Sequence, residues 1–118
     1  MTTLATPFTA SLQTTILTED NLSNVGLVDS LGAPSSVYAM VLKNTDAAIR
    51  YFAMWDGTSV TWDEQTMLIR MQASTDVFVQ IDKGASFLTA VSFAAATLTS
   101  GAVSPTNFDL VMFATPPA

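Results

Sequence analysis

The sequence predicts an all-β protein, a single β-sandwich of jelly-roll or Greek-key type with about seven or eight strands. Short runs rich in β-branched and aromatic residues recur along the chain, and clusters of Gly, Pro, Asn, Asp and Ser separate them at regular spacing. The length of 118 residues suits one domain with its own core. We expect an extended N-terminal arm at residues 1–7, the sandwich domain at 8–115 and a C-terminal tail at 116–118.

The first predicted strand covers residues 8–17, which are rich in Thr and apolar side chains, and turn-forming residues at 18–21 end it. Residues 25–31 form either a short strand or a loop. Pro34 follows them and belongs outside any central strand, because proline cannot donate to a strand ladder.

The central stretch at residues 36–56 has the pattern of a β-hairpin, with two apolar arms on either side of the break at 44–46. Both faces of each arm are apolar, whereas a strand with one solvated face would alternate apolar and polar residues. In the second arm Ile49, Tyr51 and Trp55 share one face, and Phe52 and Met54 share the other beside Arg50. We therefore expect something to cover the second face.

The remaining elements follow in the same way. A turn is predicted at residues 56–59, a loop or brief strand at 60–64, and a second hairpin from strands at 66–73 and 77–82. Alternation predicts inward positions for Met67, Ile69, Met71, Val77, Val79 and Ile81. After a turn at 83–85, the Ala-rich run at 87–98 is assigned to a strand rather than a helix because of its Thr and Val content. A loop at 99–105 leads to the final strand at 107–114.

The composition excludes several function classes. The chain has no cysteine and no histidine, so it lacks thiolate ligands, the commonest metal ligand and the commonest general base. Its four cations are scattered singly against ten carboxylates, for a net charge of −6, which disfavours nucleic acid and anionic membranes. No apolar run approaches the roughly eighteen residues of a membrane span, and the N-terminus does not resemble a secretory signal. We expect no enzyme activity, no cofactor, no nucleic-acid partner and no membrane partner.

Three small groups of residues are candidates for a site. Asp63 and Glu64 with Asp56 would make an acid pair, but adjacent residues on a strand point to opposite faces. A calcium site from Asp56, Asp63 and Asp82 lacks the dense spacing of known loops. We therefore expect neither a catalytic nor a metal site. The aromatic residues Tyr38, Tyr51, Trp55 and Trp62 would form either a sugar-stacking platform or anchors in a core or a protein interface.

Low charge favours a surface that is covered in an assembly. Only 12% of the residues are charged, against about 25% in a typical soluble domain. Phe52 and Met54 are predicted to face outward as interface anchors, joined on the first arm by either Tyr38, Met40 and Leu42 or Val37, Ala39 and Val41. The candidate interface residues are Tyr38, Met40, Arg50, Phe52, Met54 and Trp62.

The stretch SVYAMVLKNTDAAIRYFAMWDG at residues 36–57 resembles small virion structural proteins of tailed bacteriophages. The shared pattern is a Tyr-Val-type strand, an Asn-Thr-polar turn and an Ala-rich strand that ends in an aromatic-Asp turn. Later segments at 71–74, 77–79, 84–87 and 88–94 look similar to the downstream part, so the likeness spans residues 36–101. The chain departs from the pattern at residues 60–65, where a Trp-Asp-Glu run replaces small and Pro-rich residues.

This resemblance implies a β-sandwich component of phage particles, most often a capsid decoration or cement protein. Such a protein stabilises the assembled shell without catalysis, and its partners are the major capsid protein, copies of itself, or both. The implied location is the capsid surface of a virion assembled in the bacterial cytoplasm. Docking of the N-terminal arm would contribute to attachment. The alternative is a carbohydrate- or receptor-binding module of a tail or fibre that uses Trp55 and Trp62.

Overall fold

The structure is a computed structural model that describes residues 15–24, 27–28, 35–105 and 107–115. These ranges contain eight β-strands and no helix, so none that could cross a membrane. The strands are β1 (Thr15–Glu19), β2 (Leu27–Val28), β3 (Ser35–Asn44), β4 (Arg50–Asp56), β5 (Met67–Met71), β6 (Thr75–Phe87), β7 (Val91–Ala96) and β8 (Phe108–Thr115). The predicted arm at 1–7 and tail at 116–118 lie outside the described residues.

Two four-stranded antiparallel sheets form a sandwich. The first sheet has the order β1-β8-β3-β6, and the second has the order β2-β7-β4-β5. The pairs β1–β8, β2–β7, β3–β6 and β4–β5 are those of one long hairpin, four strands out and four back. Folding that hairpin over itself adds the pairs β3–β8 and β4–β7. This is jelly-roll topology, so the predicted all-β sandwich is confirmed.

Both predicted hairpins are wrong in their pairing. β3 and β4 belong to different sheets, and so do β5 and β6. The connections at 45–49 and 72–74 therefore pass from one sheet to the other instead of reversing the chain within a sheet. The alternation of apolar and polar residues along a strand predicts which side chains face the core. It does not predict whether the next strand pairs with that strand or lies in the opposite sheet.

Asn44 fixes the point where the chain leaves the first sheet. Its side chain is fully buried, and its amide nitrogen donates to the backbone carbonyls of Ala48 (3.0 Å) and Gln72 (2.9 Å). Its side-chain oxygen accepts from the backbone N–H of Asp46 at 3.1 Å. Since Gln72 follows β5, one amide group holds together the connection from β3 to β4 and the connection from β5 to β6.

The core lies between the sheets and is built from one face of every strand whose side chains are described. Fully buried Phe52 of β4 and Phe108 of β8 stack across it with parallel rings, 6.1 Å between centroids. The predicted inward residues of β5 and β6 pack against this core, as expected. In β4 the face assignment is reversed. Phe52 and Met54 point inward and belong to the core, whereas Trp55 lies on the opposite face with Ala53.

A bulge at Tyr38 decides which face of β3 meets the core. Ala85 pairs with Val37 and Gln80 pairs with Ala39, so residues 81–84 of β6 stand opposite Tyr38 alone. The core-facing residues are Val37 before the bulge and Met40 and Leu42 after it. Neither of the two sets left open by the sequence is correct as a whole, because the bulge shifts the alternation.

The same bulge replaces the predicted turn at 83–85, which lies inside β6. Gly84 has φ of 79°, and a β-carbon there would lie 2.8 Å from the Tyr38 ring.

The run at 87–98 is a strand in its centre, since β7 covers 91–96, and no helix forms there. The final strand is also confirmed, shifted by one residue to 108–115. β1 continues to Glu19, past the predicted end at residue 17.

We expect Phe52→Ser to lower the free energy of unfolding by about 3–5 kcal/mol, because it removes a buried ring and leaves a cavity with an unpaired hydroxyl. The matched control is Phe78→Ser, since Phe78 is 61% exposed. That change should stay within about 0.5 kcal/mol at low protein concentration. Denaturant unfolding measures both. A larger loss for Phe78→Ser than for Phe52→Ser would contradict the core assignment.

Candidate protein-interaction site

Three of the six predicted interface residues are core residues. Met40, Phe52 and Met54 have no exposed surface in the folded chain, so the prediction that they anchor a partner is wrong. Their large apolar side chains fill the space between the sheets instead. Tyr38, Arg50 and Trp62 are half-buried.

Each of these three has a contact within the chain. The Tyr38 ring lies over Gly84 at the bulge. The Nε of Arg50 donates to the Asp46 carboxylate at 2.8 Å, and only 17% of the arginine side chain is exposed. Arg50 is thus held at the corner beside Asn44 rather than on an open face.

The second face of β4 is covered by the chain itself. Ala53 and Trp55 of β4 and Ala94 of β7 are buried on the outside of the second sheet, under Val60 and Trp62 of the connection at residues 57–66. The Trp55 indole N–H donates to the carbonyl of Thr61 at 2.8 Å. Both faces of β4 are therefore covered, but the outer face is that of Trp55 rather than that of Phe52 and Met54, and a segment of the same chain covers it instead of a partner.

Trp62 holds this covering segment in place. Its ring meets Trp55 edge to face, with 5.1 Å between centroids and planes at 86°, and its N–H donates to the carbonyl of Asn24 at 3.1 Å. It also lies against Gly101, where a β-carbon would overlap the ring. Trp55 is 4% exposed, so the two tryptophans do not present an open sugar-stacking platform. They act as a clasp over the second sheet.

A cleft of about 360 Å³ lies beside the clasp. Its lining includes Asp56, Glu64 and several Thr and Ser side chains. The Asp56 carboxylate accepts from the backbone N–H groups of Thr89 (2.9 Å) and Leu88 (3.1 Å), which ties the end of β4 to the connection before β7. Both carboxylate oxygens of Asp56 therefore accept hydrogen bonds that stabilise the fold.

The same hydrogen bonds hold the pKa of Asp56 below its ordinary value of 3.8. The bond from Thr89 contributes most and the bond from Leu88 next, while the slight burial acts in the opposite direction. In the described part of the chain, no group of three or more Asp or Glu side chains is placed to hold a metal ion, and the trio of Asp56, Asp63 and Asp82 is not brought together.

The outside of the first sheet carries an apolar surface that the sequence reasoning missed. Ile16 and Phe78 are 62% and 61% exposed, and the residues between them on the two central strands are half-buried. We call this surface the outer patch, and its members are Ile16 of β1, Val111 and Phe113 of β8, Ala39 and Val41 of β3, and Phe78 of β6. None of the six belongs to the core clusters.

Strand register arranges the outer patch in rows across all four strands. One row reads Ile16, Phe113, Ala39 and Gln80, and the next reads Thr18, Val111, Val41 and Phe78. A third row is charged and contains Asp109, Lys43 and Asp76. The patch is thus continuous from one edge of the sheet to the other and has a charged border at one end.

A signal for this surface exists in the sequence. β3 and β8 have apolar residues at both parities, as β4 does, and two-faced apolar strands need cover on both sides. In β4 that cover is the segment 57–66. Residues 57–66 lie over the second sheet, so they do not cover the first. Contiguous exposed apolar surface of this kind is typical of a protein contact.

No protein-family model and no curated protein matches this chain. Among solved structures, it is similar to the protein of Bacillus endospore appendages, described as a novel family of disulfide-linked pili. The alignment has 12% identity, covers 90% of this chain and 92% of that chain, and has a TM-score of 0.41. A likeness at this level carries no argument about function.

We expect Gly101→Ala to loosen the clasp, because residue 101 has φ of 74° and its new methyl group would displace the Trp62 ring. The free energy of unfolding should fall by about 1–3 kcal/mol. Tryptophan emission should shift to longer wavelength as the rings meet water. The exposed neighbour serves as the control in Ala102→Ser, which should change neither quantity. Unchanged emission in Gly101→Ala would contradict the described contact.

Asp56→Asn tests the bonds to Leu88 and Thr89. Because the folded-state pKa of Asp56 is lowered, the carboxylate contributes stability above its ordinary value of 3.8 and loses it as the pH falls through the folded value. The variant should therefore melt below the wild type near neutral pH, and the gap should narrow below pH 3.8. Thermal unfolding across pH measures this, with Asp82→Asn on exposed β6 as the control. A gap that widens in acid would have the wrong sign.

Proposed function

We propose that this protein is a non-enzymatic structural protein of a tailed-phage virion, a capsid decoration or cement protein that binds the assembled shell and stabilises it. The observation that carries the proposal is the outer patch, an apolar surface that crosses all four strands of the first sheet. The phage assignment itself rests on the sequence resemblance at residues 36–101.

The outer patch supplies a physical means of attachment. Burial of apolar surface is worth roughly 25 cal/mol per Å², so a patch of some hundreds of Å² contributes several kcal/mol to a contact. A decoration protein acts at many equivalent places on a lattice, so modest contacts add up to firm attachment. The small fraction of charged residues, 12%, also supports this proposal, because few charged groups would have to lose their hydration in such a contact.

The remaining surfaces support a structural role over the other classes. Arg50 is paired with Asp46, and Lys43 lies in a row between Asp76 and Asp109, so neither forms part of a basic patch for phosphates. The Asp56 carboxylate is engaged by backbone N–H groups. The aromatic pair that the carbohydrate-binding alternative requires is closed within the clasp. The partners we propose are the shell protein, copies of this chain, or both, at the capsid surface.

Binding to purified empty shells tests this function. We expect the protein to pellet with the shells and to raise their melting temperature, and Phe78→Ser to weaken attachment by about 1–3 kcal/mol, the usual loss for an interface anchor. Leu68→Ser is the matched control. Leu68 is 41% exposed on the outside of the second sheet, and its loss should leave attachment unchanged.

The copy number in particles gives an independent readout. Mass spectrometry should find on the order of hundreds of copies per virion, as a lattice-wide role requires. A protein that is absent from virions and does not pellet with shells would overturn the proposal. Equal losses for Phe78→Ser and Leu68→Ser would remove the outer patch from it.

A further inference from the structure

Within the rows of the outer patch, the residue on β8 and the paired residue on β3 are complementary in size or in charge. In the first row the large Phe113 stands on one side of this line and the small Ala39 on the other. In the second row the line separates two equal residues, Val111 and Val41. In the charged row it separates Asp109 from Lys43. Each position on β8 therefore has its complement at the paired position on β3.

From this pattern we infer that the outer patch binds a second copy of this chain, through a two-fold axis that runs parallel to the strands between β8 and β3. The inference rests on the proposed function and names the occupant of the outer patch: copies on the shell bind one another through it, so attachment of each copy is strengthened by its partner, and Phe78→Ser weakens attachment by separating the copies. Rotation about that axis lays β8 of one copy over β3 of the other, and the same contacts occur twice. The two first sheets then stack face to face, as sheets do in a sandwich.

The apolar rows fit under this rotation. Phe113 lies over Ala39 of the second copy, so a large side chain meets a small one, and Val111 lies over Val41. Interdigitation of large and small side chains is how facing sheets reach close packing. At the edges of the sheet, Ile16 and Phe78 meet Gln80 and Thr18 of the second copy, which places polar groups at the rim.

The charged row selects this axis. Under the rotation Lys43 lies over Asp109 of the second copy, and the pair forms twice. An in-plane axis at right angles to the strands, placed along the row of Val111 and Val41, would instead lay the charged row over the row that contains Ile16 and Phe113. That arrangement would bury charges against apolar side chains without partners, which is costly. The charged row thus fixes the relative orientation of the two copies and also bounds the apolar surface.

The size of the contact indicates a reversible dimer. Four strands about 4.8 Å apart and about six residues of strand length give a face of roughly 400 Å² per copy, or about 800 Å² in total, which is the size of a weak, transient contact. Subunits of such a dimer exchange on mixing. Mixing experiments can therefore separate a contact between copies from a contact within one chain.

Charge reversal on single positions provides the test. Lys43→Asp makes the row wholly acidic, and Asp109→Lys makes its centre wholly basic, so each variant alone should dimerise at least about tenfold more weakly than the wild type. An equimolar mixture of the two should regain dimers, because each copy then meets the opposite charge. Sedimentation velocity and capture through a tag on one variant measure this. Arg70→Asp makes the same charge change on the exposed outside of β5 and should leave dimerisation unaltered.

A second pair of variants tests the size match without altering charge or the bond from the Asn21 N–H to Asp109. Ala39→Phe sets ring against ring in a homodimer, and Phe113→Ala leaves two gaps, so each alone should dimerise poorly. Their mixture should restore two ring-on-methyl contacts. Recovery on mixing in both pairs supports the two-fold arrangement, since no change within one chain responds to mixing.

Two results would overturn the inference. One is a wild-type chain that stays monomeric at high concentration. The other is a wild-type dimer whose variants fail to recover on mixing while their circular dichroism matches the wild type. The shell experiment decides the proposed function separately: a monomer that pellets with shells overturns only the dimer, and a dimer that does not pellet overturns only the shell role.

Discussion

The buried amide of Asn44 is the contact on which the sandwich depends. Its two donors satisfy carbonyls in two different connections between the sheets, and its oxygen holds the backbone of the first connection in place. A buried amide without hydrogen-bond partners is costly, so Asn44 favours the arrangement in which both connections cross at the same end of the sandwich. Asn107 adds the third crossing, since its carbonyl accepts from the backbone N–H of Thr45. Three crossings thus meet at one polar corner.

The two sheets differ in how their outer apolar faces are covered. Central strands of both sheets are apolar on both faces, and the core covers only one of them. The second sheet covers the other with the segment 57–66, which is fixed by the edge-to-face contact of Trp55 and Trp62. The first sheet leaves its outer face open at Ile16 and Phe78. This asymmetry divides the molecule into a self-contained side and a side suited to contact.

Sequence reasoning predicted the strands better than their partners. The alternation of β5 and β6 located the core face of Met71 and Val79 because that signal is local. Pairing is set by contacts between distant segments, so 36–56 looked like a hairpin although it spans both sheets. The predicted faces of β4 are reversed because strand alternation does not show that a loop without periodicity buries Trp55 on the outer face. Of the candidate site, the apolar residues on both faces of β3 and β8 indicate a need for cover, but the sequence pattern does not tell which two-faced strands the segment 57–66 covers.

The position of β8 bears on when the surface can exist during synthesis. β8 is the last of the eight strands in chain order, yet it lies between β1 and β3 in the centre of the first sheet. Before it emerges from the ribosome, those two strands have no neighbour to join them, and the rows that contain Val111 and Phe113 do not exist. Pairing over such sequence distances is slow to form. The complete outer patch therefore exists only after β8 has paired with both β1 and β3.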